Sequence, residues 1–322
     1  MELLKSSNLI KKCDKPILTA KDIPYHATLI FNAGVTKYQG KYVMVFRNDI
    51  SNFSQRCSFS HNLGVAVSDD GINWIPDKSP WFTCQDEEVR YAYDPRLTVI
   101  DDELFMCFAI TTKHGVCGCV SKIEDFSKPP KIISVSPPDN RNMVLFPEKI
   151  NGLFTRLERP MPVYSRGGKD RFDTWLSQSP DLKFWGNSKL VMGVEDVPYA
   201  NDKIGPGAPP VKTEKGWLTV FHAVKLDTAR EKNGWEPRWQ KTYYAGVALL
   251  DLENPTKVIG ISKEPLIVAD QHYEVGYRND VIFPGGVIVE PGGEVKIYYG
   301  AADTVECLAR ADLNDLISAC LN

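Results

Sequence analysis

Short stretches rich in β-branched and aromatic residues recur along the whole chain, separated by turn residues, whereas apolar positions at helical spacing are nearly absent. Stretches of this length and composition predict β-strands rather than buried helices. The clearest are Lys41–Arg47, Glu103–Ala109, Gly152–Arg156, Gly216–His222 and Glu294–Gly300. Only the end of the chain, Leu313–Leu321 after Asp312, predicts a short helix. The pattern therefore indicates an all-β protein.

Each of these five stretches is followed by a second one. The partners begin near Leu63, Val116, Phe172, Tyr243 and Cys307. Five pairs in 322 residues correspond to a repeat of about 64 residues. The turns repeat as well, since Ser68–Trp74 and Ser179–Trp185 share the pattern S-x-D-x-x-x-W and Asp251–Pro255 resembles it more loosely.

Repeats of this length without a strong linker favour a five-bladed β-propeller, closed on itself and followed by a short C-terminal helix. We therefore predict a single propeller domain over residues 1–322. The alternative is a pair of β-sandwiches divided near residues 125–140, where prolines cluster. A propeller directs polar side chains of its inner strands into a central funnel, so site residues are expected from all five repeats.

Composition narrows the possible functions. Hydrophobic residues make up 43% of the chain and charged residues 25%, which is typical of a globular protein. The 38 basic and 41 acidic residues give a net charge of −3, so neither nucleic acid nor an anionic membrane is an expected partner. No stretch has the apolar length of a signal peptide or a membrane helix. Eight cysteines are too few for a disulfide scaffold, and Cys117 and Cys119 lack zinc-site spacing, so we expect reduced thiols in the cytoplasm.

The segment Tyr91–Arg96 is the most distinctive polar cluster, and its aspartate is followed by a proline that stiffens a predicted turn. In a functional interpretation Asp94 is a general acid, Tyr93 lines a sugar site and Arg96 holds the loop. In the structural alternative the segment is an Asp-Pro turn with a salt bridge. The residues alone favour neither interpretation.

Four further residues near predicted strands are cationic or can become so. They are Arg141, Arg159, Lys203 and His222. If the propeller directs them inward, they converge on one multivalent anion, and arginine binds phosphate with two parallel hydrogen bonds. The alternative is scattered surface charge. The segment Lys203–Pro210 has neither Walker nor Rossmann spacing, so no nucleotide is predicted.

A third group of side chains suits a sugar, through hydrogen bonds or as aromatic platforms. It comprises Asn32, Arg47, Arg56, Tyr243, Asp303, Trp235 and Trp239. The two tryptophans lie in a charged, turn-rich run, residues 229–241, where they form a binding lip or anchor the loop. No G-x-S-x-G motif accompanies the five histidines, so a Ser-His-Asp triad is not predicted.

Several short motifs occur in an order that is specific in combination. They are Phe31–Gly34, Val45–Asn48, Tyr93–Arg96, Asn140–Pro147, Arg159–Pro160, Lys203–Gly205, Gly216–Leu218 with His222, Ala248–Leu252, Val281–Pro284 and Tyr298–Thr304. Over about 270 residues they resemble glycoside hydrolase family 130, five-bladed propellers that include the inverting β-mannoside phosphorylases.

This resemblance implies a role for each candidate residue. Asp94 is then the general acid, acting through the 3-hydroxyl of the bound mannosyl unit. The phosphate-binding positions are Arg141, Arg159, Lys203 and His222. The positions that hold the mannosyl and neighbouring sugars are Asn32, Arg47, Arg56, Tyr93 and Asp303. No metal or organic cofactor is implied, and inorganic phosphate is a co-substrate.

Phosphorolysis also suits the chemistry of the residues. An inverting hydrolase needs a second carboxylate about 6.5–9.5 Å from the acid to activate water, whereas phosphate is itself the nucleophile and needs a cationic cradle. The four cradle positions are present, so we expect a β-mannoside and phosphate to give α-mannose 1-phosphate and a shortened sugar. Glu148 and Glu158 lie among the cradle residues and are interpreted as partners of arginines; a catalytic role for either would favour hydrolysis.

One departure from the family pattern concerns the acceptor sugar. Many β-1,4-acting members carry an Asn-Gly-His loop where this chain has Pro160–Lys169, without a histidine. Here Tyr164 and Arg166 resemble the members that act on β-1,2-linked mannosides, which favours that linkage. The alternatives are a β-1,4-mannosyl phosphorylase, a β-mannosidase and a non-catalytic carbohydrate-binding propeller. Because members of the family often self-associate, a homo-oligomer is possible, and residues 1–15 could reach a neighbouring copy.

Overall fold

The computed structural model describes residues 4–51, 59–161, 172–229 and 240–321, and its strands form five antiparallel sheets. At four of the five junctions between sheets the inner strands contact each other, and at the fifth the inner strand of the last sheet contacts the second and third strands of the preceding one. This arrangement confirms the predicted all-β, five-bladed propeller, and the alternative of two sandwiches is wrong.

The blades follow one another along the chain, each running from its inner to its outer strand. Blade 1 contains β2 (Leu29–Tyr38), β3 (Lys41–Ser51), β4 (Phe59–Ser68) and β5 (Ile75–Pro76). Blade 2 contains β6 (Val89–Ile100), β7 (Glu103–Thr112), β8 (Gly115–Ile123) and β9 (Lys131–Val135). Blade 3 contains β10 (Asn140–Leu145), β11 (Phe154–Pro160), β12 (Thr174–Ser179) and β13 (Gly186–Met192).

The last two blades differ slightly from this plan. Blade 4 contains β14 (Lys203–Pro206), β16 (Gly216–Leu226), β17 (Lys241–Leu250) and β18 (Val258–Ile261), with β15 (Val211–Thr213) also paired to β16. Blade 5 contains β19 (Ile282–Val289), β20 (Glu294–Ala301), β21 (Val305–Asp312) and, at its outer edge, β1 (Lys11–Lys12). The helix α1 spans Leu313–Leu321, as the sequence predicts.

The strand β1 closes the ring, because the start of the chain completes its last blade. Lys11 pairs with Arg310, and the buried ammonium group of Lys12 lies 2.8 Å from carboxylate oxygens of Asp270 and Glu274. The backbone N–H of Ser7 donates to the carbonyl of Leu266 at 3.1 Å. The described part of this segment therefore packs on its own chain, and contact of residues 1–15 with a neighbouring copy stays a prediction.

The predicted strand pairs are the second and third strands of each blade. Each predicted turn connects the third strand of a blade to its fourth strand. In blade 1, Oδ1 of Asp70 accepts hydrogen bonds from the N–H groups of Ile72 and Asn73, both at 2.8 Å. In blade 3, Oδ1 of Asp181 accepts from the second and third residues after it in the same way. An aspartate that bonds the backbone two and three residues onward stabilises a turn locally, which explains the repeat of the motif.

The hydrophobic core consists of layers between adjacent blades. Between blades 3 and 4, for example, the rings of Phe146 and Trp217 meet edge to face with centroids 5.1 Å apart. The apolar face of α1, Leu316 with Ile317, covers the layer between blades 4 and 5. All seven cysteines in the described residues are free. No helix in the described ranges is long and apolar enough to span a membrane.

Candidate active site

The predicted site residues come from all five blades. Asn32, Asp94, Arg141 and Lys203 lie on the inner strands of blades 1 to 4. The second and third strands carry Arg47, Arg159, His222 and Tyr243, while Asp303 lies in the turn between β20 and β21. Arg56, Tyr164, Arg166, Trp235 and Trp239 lie outside the described residues. The described residues form two groups, one around Asp94 and one around Arg159.

Bulges in the inner strands set the direction of the site side chains. The pairing of β2 with β3 shifts between Phe31 and Gly34, and that of β6 with β7 shifts between Tyr93 and Arg96. Within these bulges Asn32 has φ of 55° and Asp94 has φ of 53°, a left-handed conformation that asparagine and aspartate tolerate better than most residues. A bulge re-aims a side chain away from the regular alternation of a strand.

The interpretation of Tyr91–Arg96 as a turn is therefore wrong, because the segment lies inside β6. The physical reason is that a proline, which lacks an N–H donor, is accommodated in a strand at a bulge as well as in a turn. The segment alone cannot distinguish these two settings.

The carboxylate of Asp94 is held through one oxygen. Its Oδ1 atom accepts a hydrogen bond from Nδ2 of Asn32 at 3.0 Å and one from a terminal guanidinium nitrogen of Arg47 at 3.1 Å. Arg47 also forms a two-pronged pair with Asp49, at 2.8 and 2.7 Å. Because both bonds to Asp94 reach Oδ1, the other oxygen, Oδ2, is the one that can carry a transferable proton.

The surroundings of Asp94 combine aromatic faces with other carboxylates that are already paired. The guanidinium of Arg47 lies 4.5 Å from the ring centroid of Phe31 and 5.1 Å from that of Tyr93. Asp49 is also bonded to Nδ1 of His61 at 2.7 Å; although burial opposes ionisation, Arg47 and His61 lower its pKa to about 2. The carboxylate of Asp49, beside the acid, is thus already paired with Arg47 and His61.

Asp303 completes this end of the site. Its Oδ2 accepts from Arg278 at 3.1 Å. Burial raises the pKa of the Asp303 carboxyl group, while Arg278 and Arg47 oppose that change. A carboxylate that is buried but still paired can accept hydrogen bonds from a sugar.

Arg96 holds the base of the site, as the functional interpretation predicts. Its guanidinium donates to the carbonyls of Asn32 at 3.2 Å, Pro95 at 2.6 Å and Pro284 at 3.1 Å, and also to that of Gly207. It forms no ion pair with any carboxylate in the described part of the chain; the salt bridge of the segment is the one between Asp94 and Arg47, at 3.1 Å. Burial lowers its pKa.

The second group is built around a contact between Arg159 and His222. A terminal nitrogen of Arg159 lies 2.8 Å from Nε2 of His222, and Nδ1 of His222 lies 3.2 Å from the carbonyl oxygen of Pro206. Because a guanidinium only donates, Nε2 accepts and Nδ1 carries the hydrogen. Burial and the charge of Arg159 hold the pKa of His222 well below its usual range. His222 is therefore neutral and orients Arg159.

Arg159 and Lys203 are buried and Arg141 is partly buried, and each of these cations disfavours the charge of its neighbours. Burial and the neighbouring Arg141 lower the pKa of Arg159 to about 9. Burial, Arg159 and Lys241 lower the pKa of Lys203 to about 7. Arg141 behaves differently, since Tyr93 and Tyr243 raise its pKa despite burial. The alternative of scattered surface charge is therefore wrong.

Two arginines of this group have no counter-ion among the residues that the structure describes. Among the described residues, neither Arg141 nor Arg159 forms an ion pair, and the Nε atoms of both are buried without a hydrogen-bond acceptor. Buried charge without a partner is costly, so an anion that enters between these side chains is strongly favoured. Arg141 also contacts Tyr93, which links this cationic group to the acid.

The two glutamates have separate structural roles. Glu158 is buried, pairs with Arg156 at 2.8 Å and accepts from Nδ2 of Asn140 at 2.9 Å, which confirms its interpretation as a partner of an arginine. For Glu148 that interpretation is wrong, because its half-exposed side chain pairs with Lys212 on the surface. A surface carboxylate satisfied by a lysine cannot serve the site.

Sequence reasoning did not identify several residues that shape the site. They are Asp49, His61, Asp202, Lys241 and Arg278. One signal was present: Asp49 is two residues after Arg47, and this spacing places both side chains on one face of a strand. The partner of Asp303 comes from a loop, and no local pattern predicts it.

Comparison with known proteins agrees with this geometry. Residues 11–321 match the profile of glycoside hydrolase family 130, described as beta-1,4-mannooligosaccharide phosphorylase. The chain is 31% identical to a 1,2-beta-oligomannan phosphorylase of Thermoanaerobacter sp. strain X514, over 94% of this chain and 97% of that protein. It is 34% identical to a beta-1,4-mannooligosaccharide phosphorylase of Ruminococcus albus, over 94% of this chain and 88% of that protein.

A solved structure of beta-1,2-mannobiose phosphorylase from Listeria innocua, in complex with beta-1,2-mannobiose, aligns with a TM-score of 0.81 and 25% identity, covering 97% of this chain and 99% of that one. The five-bladed fold and the profile match over nearly the whole chain define a family 130 propeller enzyme. This chain belongs to glycoside hydrolase family 130.

Proposed function

We propose that this protein catalyses the inverting phosphorolysis of β-mannosides, a glycosyltransferase-type reaction that gives α-mannose 1-phosphate and a shortened sugar. The curated relatives are mannoside phosphorylases by name. The observation that carries the proposal is the cluster of Arg141, Arg159 and Lys203, buried or partly buried cations near Asp94 whose arginines have no counter-ion in the described ranges. One multivalent anion satisfies them together.

In the proposed reaction the mannosyl unit lies over Asp94, and phosphate lies among the cations. A phosphate oxygen attacks the anomeric carbon as the glycosidic bond breaks on the opposite face, which inverts the configuration. The departing oxygen takes a proton from the 3-hydroxyl of the mannosyl unit, and that hydroxyl takes one from Oδ2 of Asp94. Attack by HPO₄²⁻ gives a phosphate monoester that still carries one proton, and the loss of this proton balances the one that returns to the carboxylate of Asp94.

Hydrolysis by the same site needs a base for water. The described carboxylates that share the charge of Arg47 with Asp94 are Asp49 and Asp303, and both are engaged in ion pairs with arginines. Glu158 is paired with Arg156. This distribution of charge favours phosphate over water as the nucleophile.

The other site residues have binding roles in this proposal. Asn32, Arg47, Arg56, Tyr93, Tyr164, Arg166, Tyr243 and Asp303 contact the sugars. His222 acts at the phosphate through the guanidinium that it orients. We further propose that the enzyme uses no metal or organic cofactor, works in the cytoplasm as one catalytic unit over residues 1–322, and can assemble with copies of itself.

Substitutions at the acid and at the cations test these roles. Asp94→Asn keeps the hydrogen bonds to Oδ1 but removes the transferable proton, so kcat should fall about a hundredfold or more.

Arg159→Lys should raise the KM for phosphate about tenfold with little change in the KM for the mannoside. Lys212→Met, which removes a surface ion pair and a contact with the ring of Trp217 away from the proposed site residues, is the control. A phosphate KM unchanged in Arg159→Lys would contradict the assignment, and a carbohydrate-binding protein without activity would show no turnover in any variant.

We propose β-1,2-linked mannosides as the preferred substrates. The relatives do not decide the linkage, since identities of 31% and 33% to β-1,2-acting enzymes compare with 34% to a β-1,4-acting one. The lack of a histidine in Pro160–Lys169 and the presence of Tyr164 and Arg166 support the proposal. Initial rates on β-1,2- and β-1,4-mannobiose with phosphate test it, and faster cleavage of the β-1,4 isomer would contradict it.

A further inference from the structure

The carboxylate of Asp202 lies between two lysines at the edge of the cationic group. Its Oδ2 atom is 2.9 Å from Nζ of Lys241 and 3.5 Å from Nζ of Lys203. Lys203 begins β14 and Lys241 begins β17, and the strand β16 separates these two strands in blade 4. One carboxylate therefore joins a residue of the proposed phosphate site to a residue outside it.

The two lysines have different surroundings. Lys203 is buried, and its ammonium group lies 5.0 Å from the ring centroid of Phe172. The side chain of Lys241 is 27% exposed, so water still reaches it, and that of Asp202 is 16% exposed. A single carboxylate cannot fully compensate two ammonium groups, so the lysines compete for it.

Asp202 stabilises the charge of Lys241 more effectively than that of Lys203. Although burial opposes its charge, the hydrogen bond and the charge of Asp202 raise the pKa of Lys241. For Lys203 the larger effects are burial, Arg159 and Lys241, which together outweigh Asp202 and lower its pKa to about 7. Lys203 is thus close to losing its charge near neutral pH when the site holds no anion.

We propose that Lys241 and Asp202 are positioning residues that set the charge of Lys203 and, through it, the affinity of the site for phosphate. This inference rests on the proposed function. An incoming phosphate dianion stabilises the protonated lysine, so binding takes up a proton when Lys203 is neutral beforehand. Asp202 promotes phosphate binding by favouring the charged form, and Lys241 limits it by disfavouring that form.

The other charged and titratable groups that face Lys203 are held by separate contacts. They are Arg141 and Arg159 from blade 3, Asp173 before β12, His222 on β16 and Tyr243 on β17. His222 is neutral because burial and the charge of Arg159 lower its pKa, and Asp173 accepts from the N–H of Val194 at 3.0 Å. Substitutions at Asp202 and Lys241 leave these hydrogen bonds in place, although the charge of Asp202 also raises the pKa of Arg159 and that of Lys241 lowers the pKa of Tyr243.

The test compares Asp202→Asn and Lys241→Met with the wild-type protein. The quantity measured is kcat/KM for phosphate, at saturating β-mannoside, between about pH 5.5 and 9, because its pH dependence reports ionisations of the site before phosphate binds. Asp202→Asn should move the alkaline decline to lower pH, and Lys241→Met should move it to higher pH, each by roughly one pH unit. The titration of phosphate itself is common to all variants and cancels in the comparison.

A matched control is Lys225→Met, which removes a half-buried lysine from β16 next to Val224, the pairing partner of Lys203. It should leave the profile unchanged, and all variants should keep the KM for the mannoside within about twofold. Opposite shifts are the key result, since a merely structural role would move both variants the same way.

Shifts in one direction, or none in Lys241→Met, would overturn the inference. If Asp202→Asn fails to fold, which thermal unfolding reveals, the upward shift in Lys241→Met alone decides the outcome. Failure of the proposed function is distinguishable, because the wild-type protein would then turn over β-mannosides at a rate independent of phosphate at every pH, and the inference would fail with it.

Discussion

Glu306 is a fully buried carboxyl group next to the base of the site. One of its oxygens, Oε2, accepts from the N–H of Ala33 at 3.1 Å, and within the described ranges Oε1 has no hydrogen-bond partner. Burial raises its pKa from 4.5 to about 8, although the N–H of Ala33 and the charge of Arg96 oppose this. The folded protein therefore holds a proton here that the unfolded chain releases above about pH 4.5.

The stability of the protein should fall as the pH rises through this window, from about 4.5 to about 8. Glu306→Gln keeps the shape and the acceptor but cannot ionise. Relative to wild type, its free energy of unfolding should be higher by about 2 kcal/mol or more at pH 8.5, and within about 1 kcal/mol at pH 5. Urea unfolding at both pH values measures this, with the exposed Glu294→Gln as control. Equal pH dependence in both proteins would contradict the account of Glu306.

At the scale of the strand, the inner strands approach one another so closely that glycine is required. A Cβ atom on Gly34 would lie 2.8 Å from Cα of Arg96 and 2.8 Å from the carbonyl oxygen of Pro95. A Cβ atom on Gly285 would lie 1.9 Å from the carbonyl oxygen of Ala33. These contacts involve backbone atoms that cannot turn away. The spacing of β2, β6 and β19 therefore depends on glycine.

Gly34→Ala should separate β2 from β6. Overpacking of this kind costs about 1–3 kcal/mol, and we expect the upper part of that range because backbone must move. The same strands carry Asn32 and Asp94, so kcat should fall even below the unfolding temperature. Thermal unfolding and saturating kinetics check both effects, and Gly186→Ala, with no atom within 4 Å of the added Cβ, should match wild type. A Gly34→Ala protein as stable and active as wild type would refute the close approach.

The regularity of a strand determines whether the sequence predicts it. The second and third strands of each blade, such as β3 and β16, run without interruption, so their apolar pattern can be recognised in the sequence. The inner strands are broken by the elements of the site: β2 by Asn32 in its bulge, β6 by Asp94 with Pro95, and β14 by its length of four residues. Residues that build the site therefore interrupt the regular pattern by which these strands could be recognised in the sequence.

At the scale of the molecule, one side chain connects four of the five blades. Arg96 extends from blade 2 and bonds carbonyls in blades 1, 2, 4 and 5. Each hydrogen bond of a charged donor is worth about 1.5–3 kcal/mol when its loss leaves a buried carbonyl unpaired. The position of Asp94 relative to blades 1 and 5 is thus fixed by the residue that comes two positions after it.

Arg96→Lys should reproduce the charge but not the four bonds. We expect a loss of about 3 kcal/mol or more in the free energy of unfolding and a lower kcat, since an ammonium group cannot span the carbonyls. Chemical denaturation and steady-state kinetics measure the two effects. Arg310→Lys is the control, because Nε of Arg310 has no hydrogen-bond partner among the described residues. A lysine variant with wild-type stability would contradict the role of Arg96.

Contacts that depend on the arrangement of the whole molecule could not be predicted from the sequence. The motifs identify Asp94, Arg141, Arg159 and Lys203 because their residue types and order are informative by themselves. The sharing of Asp202 between two lysines depends on β14 and β17 lying two strands apart in one sheet, which no local pattern encodes. For the same reason Glu148, adjacent to the cationic positions only in sequence, was wrongly paired with an arginine.

The most direct test of the central claim is the dependence of turnover on phosphate. Purified protein is incubated with saturating β-1,2-mannobiose, and free mannose and mannose 1-phosphate are quantified while phosphate is lowered to zero. We predict that the rate vanishes without phosphate, saturates as phosphate is added, and yields the two products in equal amounts. Cleavage at an undiminished rate without phosphate, with free mannose as the only product, would show that water is the nucleophile and that the buried cations do not bind phosphate for catalysis.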